Sequence, residues 1–269
     1  MKDSAFSRES DLALALQLAD AADEISMSRY QALDLVVTNK PDNTPVTDAD
    51  RATEKALREI LSIERPDDGL LGEEFGDAST DAQRYWVIDP IDGTKNFMRG
   101  VPSWSTLIAL IERKNDGSEE IIIGVVSAPA LFRRWHAGKG MGAFASLNST
   151  NVKKIHVSGI SKLEDASVTY SDFNAWGEML PNFRHLVETC NRSRGFGDFW
   201  SHMLVAEGAA EIALEIGVAL WDMAAISIIV TEAGGRFSSV SGIDGPGHGS
   251  GLSTNGVIHQ EVLAALNKG

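Results

Sequence analysis

Asp89 and Asp92 stand three residues apart across Pro90, where the apolar run 85–88 gives way to Gly93 and Thr94. Two carboxylates this close repel each other at neutral pH unless a proton or a cation relieves them. The run 85–88 reads as a buried strand, and Pro90, with no amide to donate, is expected to end it. Both aspartates then sit at a strand end. Gly93 lets the backbone approach a ligand closely, and a helix opening at Thr94 would aim free amides at the same point, an arrangement suited to an anion. An ordinary turn with Asx caps explains DPIDG taken alone equally well. Further acids decide between the two.

Glu73 and Glu74 close the short apolar run in LLGEEFG at 70–76, and Asp222 opens the apolar segment ALWDMAAISIIVTEAGG at 219–235. Singly, the glutamates read as solvated loop acids and Asp222 as a helix N-cap. Asp50 has capping-box spacing from Thr47. Yet the acids recur at strand ends and helix starts beside apolar segments, where a merely solvated charge needs no rigid support. If Asp50, Glu73, Asp89, Asp92 and Asp222 converge, their repulsion is relieved by protonation or by divalent cations. Oxygen-only donors select hard ions, magnesium first and manganese as a substitute. Such ions activate water for attack on a phosphate ester without a protein nucleophile.

The elements that must position these acids follow from periodicity. Leu12, Leu16, Ala19, Ala22 and Ile25 predict an amphipathic helix within 10–36. A second helix is expected from Thr47, with Ala52, Ala56, Ile60 and Leu61 as its apolar stripe and Pro66 beyond its end. From residue 70 the short β-rich runs LLGEE, YWVID, STLIALIE, EEIIIGVVSA, RRWHAG, GAFASL and KKIHVS follow one another closely, which predicts antiparallel sheet. Beyond about residue 150 strands and helices alternate: SVTYSD, helices near 176–190 and 200–209, AEIALEI, a helix over 221–233, GRFSSV and a last helix near 259–267. No repeat or linker intervenes, so two closely packed halves are expected, 1–148 and 149–269.

Composition narrows the function classes. The 269 residues, 43% hydrophobic and 23% charged, are those of a globular chain. A net charge of −14 without a basic stripe argues against nucleic acid or an anionic membrane as partner and leaves a small molecule. The longest apolar stretch, 121–132, is too short to span a bilayer, and the first ten residues lack a signal-peptide core, so the expected compartment is the cytoplasm. Cys190, the single cysteine, reads as a core thiol, and the histidines show no zinc-ligand spacing. GKGMGAF at 138–144 reads as a hairpin rather than a dinucleotide loop, and GIDGPGHGSG at 242–251 as a surface connection without the lysine of a P-loop.

In order and spacing, DPIDGT at 89–94, GEE at 72–74, WDMAA at 221–225 and TEAGG at 231–235 resemble the inositol monophosphatase superfamily of magnesium-dependent, lithium-sensitive phosphatases, over residues 40–240. The resemblance implies the layered αβαβα sugar-phosphatase fold, an α/β (α+β) architecture. Its antiparallel sheet belongs to the N-terminal half, and a smaller mixed sheet with flanking helices to the C-terminal half. It implies two or three Mg2+ per site. Glu73 and Asp89, with the Ile91 carbonyl, would hold the first, and Asp89, Asp92 and Asp222 the second, with Asp89 as the bridge. Thr94, supported by Asp50, would orient and deprotonate the attacking water, with Glu73 also in a catalytic role. The Gly93 and Thr94 amides would cradle the phosphate. Lys40 is similar to a lysine on the family's mobile loop. Homodimers are implied as well.

The same resemblance places substrate choice in RSRGFGDFWSHMLVAEG at 192–208 and at Glu215, seven residues before Asp222. Asp92, Arg194, Gly197, Asp198 and Glu215 are the candidate contacts. Members acting on inositol phosphates usually carry a small uncharged residue after the glycine equivalent to Gly197; here it is Asp198. A second carboxylate suits a cationic or donor-rich leaving group, and histidinol phosphate offers an ammonium and an imidazole. DPIDGTKNFMRGVPSWSTLIAL at 89–110, with Lys95 and Trp104, is similar to the bacterial branch that acts on this ester. Beside it stand an inositol-1-phosphatase or broad sugar-phosphate phosphatase, and a regulatory module that keeps the fold without the activity. Asp198 also reads as a plain cap of the following helix. Arg194 would pair with Asp198, reach the substrate or remain solvated. Trp104, Trp200 and Trp221 read as core aromatics, and His202 is the histidine nearest the expected pocket.

Overall fold

The computed structural model describes residues 6–41, 43–78, 81–148 and 150–268. The first five residues, and Ser149 at the expected boundary between the halves, lie outside that description. The chain opens with α1 (Arg8–Arg29), the hairpin of β1 (Val37–Asn39) and β2 (Pro45–Thr47), and α2 (Asp48–Glu64). Strands β3 (Gly69–Gly72), β4 (Gly76–Ala78) and β5 (Arg84–Asp92) lead into the short α3 (Thr94–Met98). Then come β6 (Ser105–Arg113), β7 (Glu119–Ala128), β8 (Arg133–Gly138), β9 (Gly142–Leu147) and β10 (Thr150–Lys154). The remainder is β11 (Ser167–Tyr170), α4 (Leu180–Thr189), β12 (Arg192–Arg194), α5 (Asp198–Ala206), β13 (Ile212–Ile216), α6 (Leu220–Glu232), β14 (Arg236–Ser238), β15 (Ser250–Thr254) and α7 (His259–Leu266).

Five layers result. Leu14, Leu18, Leu57 and Leu61 of α1 and α2 pack on Trp86, Ile88, Ile108 and Ile123, covering one face of an eight-stranded sheet ordered β10-β9-β8-β7-β6-β5-β3-β4. Tyr85, Val87 and Val126 point the other way, onto α5 and α6. Strand β5 therefore buries both faces, which is why 85–88 is continuously apolar. Residues 223–230 of α6 are all buried, as a helix between two sheets requires. A five-stranded mixed sheet, β12-β11-β13-β15-β14, follows, and Phe183, Leu186, Val262 and Leu266 of α4 and α7 close its far face. Among the described residues no helix is long and apolar enough to cross a membrane.

Several local expectations are corrected. Helix α1 stops at Arg29, because Tyr30 is extended and Gln31 takes φ 61°, and its buried line runs through Leu14, Ala15, Leu18, Ala19 and Ala22, with Leu12 and Leu16 at the edge. In α2, Ala52 is exposed while Thr53 and Glu54 are buried. The large sheet is antiparallel except at one place: β3 turns back through β4, and the chain then lays β5 parallel to β3. Pro90 does not end β5. The strand continues to Asp92 through a bulge, with Asp89 opposite Leu107 and Asp92 opposite Ser105, so the missing amide falls where the ladder is already broken. KKIHVS is a strand only as far as Lys154.

Candidate active site

The parallel pair sets the geometry. Gly72 and Ile88 are the last partners in register, so β3 ends beside the point where β5 enters its bulge, and the Glu73 amide donates to the Ile88 carbonyl at 3.2 Å. Glu73 and Asp89 thus arrive side by side. Asp89 Oδ1 accepts the Ile91 amide at 2.9 Å, which fixes the turn into the bulge. Gly93 caps α3 at φ 81°; a Cβ there would lie 3.1 Å from the Ser103 carbonyl and 3.2 Å from the Asp198 carboxylate. The Thr94 hydroxyl lies 3.1 Å from the Ile91 carbonyl and 3.3 Å from Asp50 Oδ1.

Two helices contribute acids by the same device. Asp50 and Asp222 are both third residues of their helices, and each reaches back with Oδ2 to an N-cap amide, Thr47 at 2.8 Å and Ala219 at 2.6 Å. Asp222 is therefore not the N-cap, and its position leaves Oδ1 outside the cap. Carboxylate oxygens of Asp89, Asp92 and Asp222 lie within 4.8 Å of one another.

Burial pushes Asp89 and Asp92 well above the usual carboxylate range. The charges of Glu73, Asp92 and Asp222 add to this at Asp89, and those of Asp198, Glu215 and Asp222 at Asp92. Burial raises Asp222 to about 7, against the opposing Ala219 amide bond, with Glu73, Glu215 and Asp198 adding repulsion. Burial raises Asp50 to about 6 despite its bonds to Thr47. Among the described residues no lysine or arginine pairs with Asp89, Asp92 or Asp222. Hard oxygen donors, convergent and without a protein cation, fit a small divalent metal ion.

Glu73, in side-chain contact with Asp89, also forms an ion pair with Lys40 at 2.7 Å, while Glu74 meets the same ammonium at 2.6 Å. Lys40 extends from the β1–β2 hairpin, and the two bonds outweigh its burial to raise its pKa. The turn carrying both glutamates has a brace that sequence reading missed. Glu54, fully buried, accepts the Glu74 amide at 2.7 Å and the Phe75 amide at 3.2 Å, and Arg58 pairs with it at 2.8 Å. A Cβ on Gly72 would sit 2.0 Å from Glu54 Oε1, so the glycine is required for the brace. The available signal was the i, i+4 ladder Asp50, Glu54, Arg58 on one helix face.

The opposite wall is built by α5 and β13. Gly197, not Asp198, caps α5; Asp198 is its first residue at φ 49°, which overturns the plain-cap reading. Asp198 Oδ2 accepts from Asn96 Nδ2 at 3.1 Å, and its amide donates to Ser171 Oγ at 2.8 Å. Ser171 in turn donates to Glu215 Oε1 at 2.6 Å. Asp92 Oδ2 accepts the Phe199 amide at 2.9 Å and so ties this wall to the acid cluster. Burial raises Asp198 to about 7, with Glu215 adding to the rise and Lys95 opposing it. Arg194 is not brought to this wall: it is exposed, and its Nη1 donates to the Ser193 carbonyl. His202 lies fully buried behind Glu215. Trp104 is core, whereas Trp200 and Trp221 are partly exposed at the margin.

Comparison with known proteins places the whole chain in one family. The profile of the inositol monophosphatase family matches residues 7–268. The chain is 52% identical to a histidinol-phosphatase of Mycobacterium tuberculosis, covering 96% of this chain and 98% of that protein. It is 51% identical to a histidinol-phosphatase of Streptomyces coelicolor, covering 96% and 97%. Among solved structures, the inositol monophosphatase of Zymomonas mobilis superposes with a TM-score of 0.83 at 31% identity, covering 99% of this chain and 100% of that one. The Thermotoga maritima IMPase gives a TM-score of 0.84 at 28% identity, covering 96% and 97%.

Proposed function

The chain belongs to the inositol monophosphatase family, and from that premise we propose that it is a phosphatase hydrolysing L-histidinol phosphate to L-histidinol and phosphate, with Mg2+ as its metal. The observation that carries the substrate is the second carboxylate on the leaving-group wall, Asp198, tied through Ser171 to Glu215. Two acids there favour an ammonium and an imidazole over a neutral polyol. The named activity of the two relatives supports the same ester.

In this reading Glu73, Asp89 and the Ile91 carbonyl would hold one Mg2+, and Asp89, Asp92 and Asp222 would hold another, with Mn2+ as a substitute. The ions, when bound, polarise the phosphate and ease deprotonation of water. The chain's own residues do the rest. Thr94 Oγ, set between Asp50 and the Ile91 carbonyl, orients the attacking water, and Asp50, raised to about 6, accepts a proton near neutral pH. Gly93 and Thr94 present amides to the phosphate. Asp198 and Glu215 receive the alcohol, and Lys40 engages Glu73 and Glu74 from the hairpin above. Residues 1–148 form the metal- and phosphate-binding half; residues 149–269 select the alcohol and add Asp222. The proposal extends to a cytoplasmic homodimer inhibited by lithium.

A phosphate-release panel with Mg2+ tests the substrate. Histidinol phosphate should exceed inositol 1-phosphate and fructose 1,6-bisphosphate by about 10-fold or more in kcat/KM, and Asp198→Asn or Glu215→Gln should each cut that advantage by about 10-fold. Faster turnover of inositol 1-phosphate by the unaltered enzyme would point to the inositol-phosphatase reading instead.

A further inference from the structure

Two buried polar atoms behind the leaving-group wall face each other without a hydrogen-bond partner among the described residues: His202 Nε2 and Glu215 Oε2, 3.5 Å apart. His202 is 0% exposed, and its other nitrogen, Nδ1, lies 2.7 Å from Ser253 Oγ on β15. A hydroxyl can donate to Nδ1 or accept from it. If Ser253 donates, Nε2 carries the proton and presents it to Glu215. The opposite tautomer would set a lone pair against a carboxylate oxygen, so electrostatics favours the first. Closing the gap to the usual N–H···O separation needs a shift of only about 0.6 Å.

Ser171 secures the other oxygen of Glu215. Its single proton goes to Glu215 Oε1, which leaves its lone pairs to accept the Asp198 amide. The two acids are thereby linked through one hydroxyl, and Asn96 Nδ2, anchored on the Ser103 carbonyl at 2.8 Å, holds Asp198 from the far side. We propose that His202 is a positioning residue for substrate selection: it backs Glu215 from the core while Ser171 locks it to Asp198, so the two carboxylates form one rigid anionic seat for a cationic alcohol. This rests on the histidinol phosphate reading. A core histidine that merely fills space would contribute equally to every substrate, whereas a histidine that aims Glu215 contributes only where the alcohol is charged.

The test uses the full chain with Mg2+, comparing histidinol phosphate with glycerol 2-phosphate, whose alcohol is neutral, in the wild type, His202→Leu, His202→Gln and Ser171→Ala. His202→Leu should raise KM for histidinol phosphate about 10-fold with kcat within about 2-fold, and leave both constants for glycerol 2-phosphate within about 2-fold. His202→Gln, whose amide nitrogen reaches the place of Nε2, should restore KM to within about 3-fold of wild type. Ser171→Ala should act in the same direction as His202→Leu, and it carries the test alone if the leucine variant does not fold. Parallel losses on both esters, or no loss on either, overturn the proposal. Failure of the wild type itself on histidinol phosphate overturns the substrate reading instead, and the two failures appear in different rows of the same experiment.

Discussion

The two ends of β5 handle buried charge in opposite ways. At its start, Arg84 sits 2.9 Å from Asp11 and 3.5 Å from Asp68; Arg65 also pairs with Asp11 at 3.2 Å, and Trp86 Nε1 donates to Asp68 at 3.0 Å. The Arg84 contacts are close but not aligned as hydrogen bonds, so they act chiefly through charge. At its end, eight residues on, Asp89 and Asp92 meet Asp222 with no cation of the described residues against them. Charge buried for structure comes with its counter-charge supplied by the chain. Charge buried for chemistry is left open, and burial plus repulsion raises the proton affinity of its carboxylates, a pattern that marks a site for an external cation.

Three experiments probe this contrast. Asp89→Asn, which removes the proposed bridging ligand, should lower metal-dependent kcat/KM on the order of 10³-fold, while the metal-free protein unfolds at the same or a higher temperature because one repulsive charge is gone. Turnover within tenfold of wild type would remove Asp89 from the mechanism. Asp11→Ala at the other end should do the reverse: about 3 kcal/mol lost in denaturant unfolding, since Arg65 is left buried without its carboxylate and Arg84 keeps only Asp68, with kcat per folded molecule unchanged. A drop in kcat without a drop in stability would break the comparison.

The third experiment is pH. Asp198 and Asp222 are raised to about 7 from an unfolded value near 3.9, so the folded metal-free chain binds more protons between these limits. Their contribution is favourable below about pH 4 and is lost as pH rises through 7. Mg2+ should therefore raise the Tm by a few degrees more at pH 8 than at pH 5, read by scanning fluorimetry against EDTA controls. An equal increment at both pH values would show that the metal does not replace the proton at Asp222.

Much of the acid cluster was legible because it hangs on local rules. The place of Asp92 at the end of β5, the cap spacing of Asp50 and the helix opening at Asp222 follow from short-range periodicity, whereas Asp89 lies within the strand rather than at its end. The supports were hidden because their partners are remote in sequence: Asn96 meets Asp198 across 102 positions, Ser171 meets Glu215 across 44, and Glu54 meets Glu74 across 20. Pro90 misled for a related reason. Its effect on β5 depends on the register of β6, and the bulge that absorbs it is a property of the pair. The parallel β3–β5 pairing, on which the meeting of Glu73 and Asp89 depends, was masked by the hairpin strand between them.

Helix α6 gives the site a place in time. A ribosome delivers Glu73, Asp89 and Asp92 within 20 residues, and Asp222 emerges 130 residues after Asp92, a delay of roughly 7–26 s at about 5–20 residues per second. Until then the eight-stranded sheet lacks the helix that covers Val87 and Val126. The same docking that hides this apolar face delivers the last acid. A cation held by Asp222 together with Asp89 and Asp92 would therefore find its last ligand only once α6 has docked, with β14, β15 and α7 still to follow it in the chain.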